Sequence, residues 1–585
     1  MINMKNYKKV YAAFILAGGL ILHGCNGIFD DLAINPNQPS MGAYFTSPSA
    51  VNDAVMTMYG YMSTQRCLGA SGSKTTIIRS DEASSNSDYG KPGMFGADLN
   101  ASYYTIEQPY TLMYTTASQA SYIIETAPSV DFSGNEELRN AYMGEAYFWR
   151  AFAHYYLLIN FRNISPIRQM PRNGDDYVRP LEKPAAVWNF IQEDLAHAKE
   201  LLPVKGYWDS KNAGRVTKAS AAALLGKAYL YRSGIEQYYG EDKTTFYSEA
   251  AKEFGDVIDG KYGTYDLTKN YADNFDVAHE NNEESILEFQ FLGDVDNAGF
   301  NPGLATSGLA FDSRGLMLPG AGVGYEGVVH NWLYNAFVNS VDKDGYTDIR
   351  MFSTMIFNDL DASIHLRNDA GGNPVRLEGP GGYKWEELYP AKNGKEGFAT
   401  VSNPLAHSFK AGIRKGIDCS MPTQTEADGT PKLVGVGAGV KEYVYNQPRA
   451  HGVNWRYIRY ADVLMMYAEA IVSGGTQASN MTPLQAVNKV RGRVNMSELP
   501  SVTMTDIQNE RILEFALEGH RFYDLLRWGK LASRFTELQE SDPNFKKFIS
   551  ADDFKGFVTN KHEWLPIPIN EVNSNPYITE NNPGY

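Results

Sequence analysis

Two clusters of side chains carry most of the recognition chemistry in this 585-residue chain. The first runs through Arg79, Asp81, Glu82, Asn86, Tyr89, Phe95, Asp98, Asn100, Tyr103 and Tyr104, in a Gly- and Ser-rich stretch. The second comprises Phe311, Arg314, Tyr325, Tyr383, Trp385 and Tyr389. A flat apolar ring beside Asn, Asp, Arg or Gln stacks on a face of C–H groups while its polar neighbours meet a rim of hydroxyls. That combination suits polyhydroxylated ligands such as sugar rings. Arg79, Asp81, Tyr89, Phe95, Asn100, Tyr103, Tyr325 and Trp385 are therefore the expected ligand-binding residues. The competing expectation is that these rings pack inward and hold their loops, since most aromatics are buried. Trp332, inside a helical pattern, is expected in the core.

Catalytic spacings are missing. The ten histidines include no pair at metal-ligand spacing, and His279-Glu280-Asn-Asn-Glu283 lacks a second histidine at i+4. No Gly-x-Ser-x-Gly elbow occurs. Gly320–Gly324 and Gly435–Gly439 lie outside any βαβ unit and read as turn glycines. Asp342-Lys-Asp344-Gly345 opens like a calcium loop without its remaining oxygen ligands. Carboxylates abound, but a sequence does not place two of them across a glycosidic bond. No catalytic residue, metal or cofactor is expected, which favours a binder over an enzyme. Cys67 and Cys419 are compatible with one disulfide or with two buried thiols.

These clusters need a scaffold, and the rest of the chain supplies helices. Apolar periodicity predicts helices over Ser49–Met62, Tyr110–Thr126, Glu136–Phe161, Ala185–Leu202 and Lys218–Tyr231. Ala219 to Ile258 reads as two helices, Ala-rich at their contacts and parted by a turn near Gly240. Arg459–Val472 followed by Pro483–Val494 repeats the plan. Small residues at the crossings allow close packing, as in tetratricopeptide pairs. Asn509 to Lys530 reads as one helix, with Ile512, Phe515, Ala516, Phe522, Tyr523 and Leu526 on an apolar face. Arg511, Glu514, Glu518 and Arg521 form a charged stripe beside it, spaced to pair along the helix. A narrow charged stripe on an otherwise apolar helix implies a buried structural ion network. From Gly293 to Gln447 periodicity fades, Gly and Pro accumulate, and only Val328–Asn339 reads as a solid helix. The fold class is mainly α: a helical, tetratricopeptide-like base bearing an insertion of loops and short strands. Loops on a rigid base are where binding usually resides. A formal net charge of −15 argues against nucleic acid.

Several motifs closely resemble the SusD/RagB family in the correct order. Asn509 to Lys530 is similar to its C-terminal signature, and Gly144 to Leu158 to its first helix. Arg459 to Ala470 is similar to the helix re-entering the core, and Leu565-Pro-Ile-Pro568, Glu571, Asn575-Pro576 and Asn582 to Tyr585 to its closing motif. The resemblance implies a SusD-like fold and a non-catalytic cell-surface lipoprotein. It implies capture of oligo- or polysaccharide and delivery to a SusC-like TonB-dependent outer-membrane transporter. The same architecture binding peptides or another nutrient stays open, as do a surface glycoside hydrolase and a protein-only scaffold.

The amino terminus has its own chemistry. Lys5, Lys8 and Lys9 precede an apolar run, Val10 to Leu22, too short to span a bilayer. Leu22-His23-Gly24-Cys25 reads as a lipobox, with His23 replacing the usual small residue and the Cys25 thiol as the site of lipidation. Two or three acyl chains hold a protein stably in outer-membrane lipid. Asp30 and Asp31 resemble the acidic tether linked to surface export. The expected organisation is a signal peptide over 1–24, a lipidated tether over 25–45, base over 46–290, variable insertion over 291–450 and base again over 451–585. The expected location is the outer membrane, lipid-anchored and surface-exposed.

Overall fold

The computed structural model describes residues 45–64, 66–85, 99–172, 174–291, 327–379, 384–389, 391, 394–400, 409–416, 433–435, 441–443, 453–542 and 557–585. Cys25, the leader, most of the tether and Cys419 lie outside them. Helices dominate: α1 (Pro48–Met62), α2 (Tyr104–Thr126), α3 (Glu136–Phe161), α4 (Pro184–Leu201), α5 (Lys218–Tyr239) and α6 (Tyr247–Ile258). Further along come α7 (Asn331–Val338), α8 (Tyr460–Val472), α9 (Pro483–Arg493), α10 (Met504–Glu514), α11 (Arg521–Arg527) and α12 (Leu531–Ser541). Helix α3 starts where the Asn135 side chain accepts the Leu138 amide, with Glu136 and Glu137 at the positive end of the dipole. Thr482 with Gln485 and Thr503 with Asp506 form capping boxes on α9 and α10.

Chain neighbours pack in series, α2 on α3, α3 on α4, α4 on α5 and α5 on α6, before α8 returns against α6 and α9 against α8. Small residues set the crossings. A Cβ on Gly226 would sit 2.7 Å from the Phe254 ring, and one on Gly144 would sit 2.9 Å from Leu202. Strand β2 (Ser285–Phe289) pairs antiparallel with β6 (Trp455–Arg459) over the aromatic core of Trp149, Phe152 and Tyr457. The closing motif locks the base. Leu565 N–H donates to Asn160 C=O at 2.7 Å, and the Asn582 amide donates to the carbonyls of Phe161 and Leu565 at 2.7 Å each.

Two expected elements differ. Asn509 to Lys530 is two helices, not one: α10 ends at Glu514, Leu517 takes φ +61° and Gly519 φ +86°, and α11 restarts at Arg521. The break is stabilised from afar, because the Leu517 amide donates to the Glu82 carboxylate at 3.0 Å. The charged stripe accordingly pairs outward. Arg511 meets Asp462 and Asp524, both at 2.8 Å. Glu514 meets Arg459 at 2.6 Å and Arg350 at 3.0 Å, and Glu518 meets Arg459 at 2.9 Å and Lys415 at 3.0 Å. Arg493 joins through Glu284 at 2.7 Å. Arginines crowding Glu514 hold its carboxyl far below the usual range despite burial. The other difference lies at Val328–Asn339, where Val328 and Val329 belong to a strand and α7 begins at Asn331.

Candidate ligand-binding face

Four three-residue strands form one antiparallel sheet in the order β1 (Ala83–Ser85), β3 (Gly327–Val329), β5 (Ala411–Ile413), β4 (Met355–Phe357). Its register matters more than its size. Ser85, where β1 ends, faces Gly327, where β3 begins, and Val328 faces Gly412. The exit of β1, the entry of β3 and the exit of β5 therefore share one end of the sheet. These are the points from which residues 86–98 and 417–432 depart and to which residues 292–326 return. A Ser84 Oγ contact to His330 Nε2, at 2.5 Å, ties β1 to the residue before α7.

The other ends of those segments are fixed nearby along the chain. Phe291 N–H donates to the Asn454 side chain at 2.7 Å, joining the start of 292–326 to the residue before β6. Beyond β5, the Lys415 amine donates to Tyr271 Oη at 2.8 Å and pairs with Glu518 at 3.0 Å. Burial pushes that amine down to about 8. Between Lys415-Gly416 and Val453–Arg456 opens a small pocket of about 40 Å³, floored by Trp455, Phe275, Val453 and Leu517. Trp455 is set rigidly, its indole N–H donating to Glu518 C=O at 3.2 Å. The pocket is apolar, with an amide (Asn454), Arg456 and the Lys415–Glu518 ion pair at its margin, a composition suited to holding a small ligand. Among the described residues, no group of three or more His, Cys, Asp or Glu could hold a metal. Asp342 receives the backbone amides of Asp344 and Tyr346 at 2.9 Å and pairs with Arg367, closing a turn.

The expected binding residues divide into three groups. Arg79, Asp81 and Trp385 are corrected to structural roles. The Arg79 guanidinium is buried over the Phe522 ring, 3.9 Å from its centroid, and donates to Asn160 and to the carbonyls of His562 and Glu563. Asp81 is buried between Arg521 at 2.9 Å and Arg534 at 2.6 Å, which keep its carboxyl below the usual range. Its neighbour Glu82 has no such cation at contact distance among its hydrogen bonds, and burial pushes its carboxyl up to about 8. Trp385 packs inward against Tyr389 at 4.6 Å, under Gly397. These two rings are loop anchors. Trp332 is half-buried under Arg534 and donates to the Asp81 carbonyl. The second group remains at the surface: Asn100 is exposed, and Tyr103 stacks on Tyr104 at 5.4 Å, with Tyr104 40% exposed. Tyr89, Phe95 and Tyr325, the third group, lie outside the described residues. Cys67 is a buried free thiol. The pocket residues Phe275, Lys415 and Trp455 were missed; Val453-Asn-Trp-Arg456, an aromatic strand start bordering the loop-rich region, was the available signal.

Known proteins place this architecture. Residues 425–585 match the SusD family, and residues 34–230 match the family described as starch-binding associating with outer membrane. The chain belongs to the SusD family. It is 25% identical over 533 residues to a SusD-like protein of Bacteroides ovatus, an alignment covering 90% of this chain and 83% of that one. The SusD-like fold is shared with a SusD superfamily protein from Bacteroides vulgatus, at TM-score 0.67 and 22% identity over 93% of this chain and all of that one. It is shared too with surface glycan-binding protein A of Bacteroides thetaiotaomicron, solved with laminarihexaose, at TM-score 0.64 and 18% identity over 92% of this chain and all of that one.

Proposed function

We propose that this SusD-family chain is a non-catalytic glycan-binding lipoprotein of the outer membrane. Its Cys25 carries the lipid, and it passes oligo- or polysaccharide to a SusC-like TonB-dependent transporter. The observation that carries the reading is the sheet end, where the roots of both aromatic, Gly-rich segments meet beside a pocket floored by Trp455 and Phe275. The stacked Tyr103–Tyr104 pair marks where residues 86–98 rejoin the base and supplies an exposed platform. The likeness to a glycan-binding relative solved with laminarihexaose supports the ligand class. No described helix is long and apolar enough to cross a membrane.

Affinity electrophoresis through gels containing laminarin, starch, xylan or galactomannan tests the reading. Retardation by at least one polymer, weakened when Tyr89, Phe95, Tyr104 and Tyr325 are replaced by Ala together, is the expected result. A combined variant that is retarded as strongly as the parent would move the site elsewhere. For the anchor, Cys25→Ala is expected to abolish surface labelling by antibody on intact cells. Unchanged labelling would exclude lipidation as the attachment.

A further inference from the structure

A second cleft lies in the helical base, on the far side of Glu288, whose carboxylate bonds Asn454 at 2.8 Å and Arg456 at 3.3 Å on the margin of the first pocket. It opens between the connection from α4 to α5 and the start of β2, with a volume of about 230 Å³. Gly206 and Gly214, at φ +95° and +84°, and Asn281, at φ +51°, shape its rim with left-handed turns. At Gly214 the left-handed backbone favours glycine, and a Cβ there would also push aside the Gln290 side chain, 2.4 Å away.

The walls are polar but electrically balanced. Arg215, buried in the floor, is neutralised by Glu145 through bonds of 2.9 and 2.5 Å, and Glu288 by Arg456 at 3.3 Å. At the edge one cation, Lys205, is matched by one anion, Asp209. An ionic ligand would find no net counter-charge, and a fully apolar one would strand the wall's polar groups. A neutral polyol meets both conditions. The aromatic surface is present: Trp208 is half-buried, supported by the Arg215 guanidinium 4.1 Å from its ring centroid and by the edge of Tyr207. Its indole N–H is already spent on the Val216 carbonyl at 3.2 Å, which fixes the ring plane. The cleft is also lined by Asn282, Ser285 and Thr217, already engaged with Asp273 and Glu284, with Glu288 and with Ser220 respectively; their oxygens retain acceptor capacity for a ligand hydroxyl.

We propose that this cleft is a second binding site, taking a short stretch of neutral oligosaccharide on Trp208. Its location rests on the cleft alone; only the choice of ligand class leans on the reading of the protein as a glycan binder. A long polymer could then engage two points of one molecule, raising retention through effective concentration rather than through tighter single contacts.

Hydrogen–deuterium exchange on the full chain in detergent, with laminarihexaose, maltohexaose and cellohexaose in turn, tests it. At least one of the three is expected to slow exchange in both 203–217 and 281–288. Ala213 is exposed at the cleft wall, so Ala213→Trp fills the space without disturbing the core and is expected to remove that slowing. Trp208→Ala is expected to weaken binding there about threefold to tenfold, the usual worth of one stacking ring. Melting curves confirm that both variants are folded. No slowing with any of the three, or slowing that survives Ala213→Trp, overturns the proposal. Protection at 203–217 without any at 99–104 and 411–416 would sink the sheet-end reading and leave this site standing; the reverse pattern would do the opposite.

Discussion

The ion network around Arg459 and the stacked pair at Tyr103–Tyr104 put opposite chemistry to opposite uses. Arg459 is fully buried and contacts Glu284, Glu514 and Glu518, each within 2.9 Å. Tyr104 lies at the surface, stacked on the half-buried ring of Tyr103. In this molecule buried charge is structural, and under the proposed function recognition falls to neutral rings. A buried ion pair adds little over a well-packed apolar one, but removing one partner is costly because the survivor is left bare. An exposed ring inverts this: removing it costs the fold little and the ligand much.

The largest expected effect is therefore Arg459→Ala, which removes the cation shared by three buried carboxylates, leaves Glu284 to Arg493, Glu514 to Arg350 and Glu518 to Lys415, and should cost about 3–5 kcal/mol of stability. Calorimetry measures this; a melting temperature within a degree or so of the parent would break the comparison. Trp385→Ala comes next, at about 3 kcal/mol for an emptied aromatic site, with polymer retardation per folded molecule unchanged. If retardation falls while melting holds, Trp385 belongs to the site after all. Glu82 sharpens the contrast through pH. Its folded value of about 8 stands above the ordinary 4.5, so its contribution to stability is complete below 4.5 and disappears as pH rises through 8. Asp81, Arg521 and Lys415 act on it electrostatically. Glu82→Gln should flatten the loss over that window and gain about 1–3 kcal/mol on its alkaline side. Identical pH profiles for variant and parent would refute the protonated carboxyl. Smallest is Tyr104→Ala, with about 0.5–1.5 kcal/mol of ligand affinity lost and melting unmoved.

Local information made the helices legible. Glu136–Phe161 was read to the residue because its period, cap and acidic first turn all lie inside the segment. The break at 515–520 was not legible, since it depends on a Glu82 carboxylate 435 residues away along the chain. The same distance explains Arg79 and Asp81. In sequence they are polar residues in a Gly- and Ser-rich stretch; their partners, Asn160, Arg521 and Arg534, are supplied only by the fold. Three-residue strands such as Gly327–Val329 carry no usable period and exist by pairing alone. Trp208 was passed over because it is surrounded by turn residues, though a tryptophan in a polar turn is itself an oddity.

The register that sets Ser85, Gly327 and Ile413 side by side also bears on how such a protein can change. Each segment leaves or joins the base at a hydrogen-bonded strand of three residues, so its interior length is unconstrained by the helices below. Doubling a loop's length costs only about 0.6 kcal/mol in closure entropy. A replacement segment has to match one strand end at this sheet and one fixed junction elsewhere on the base, which makes this end of the molecule a socket for interchangeable parts.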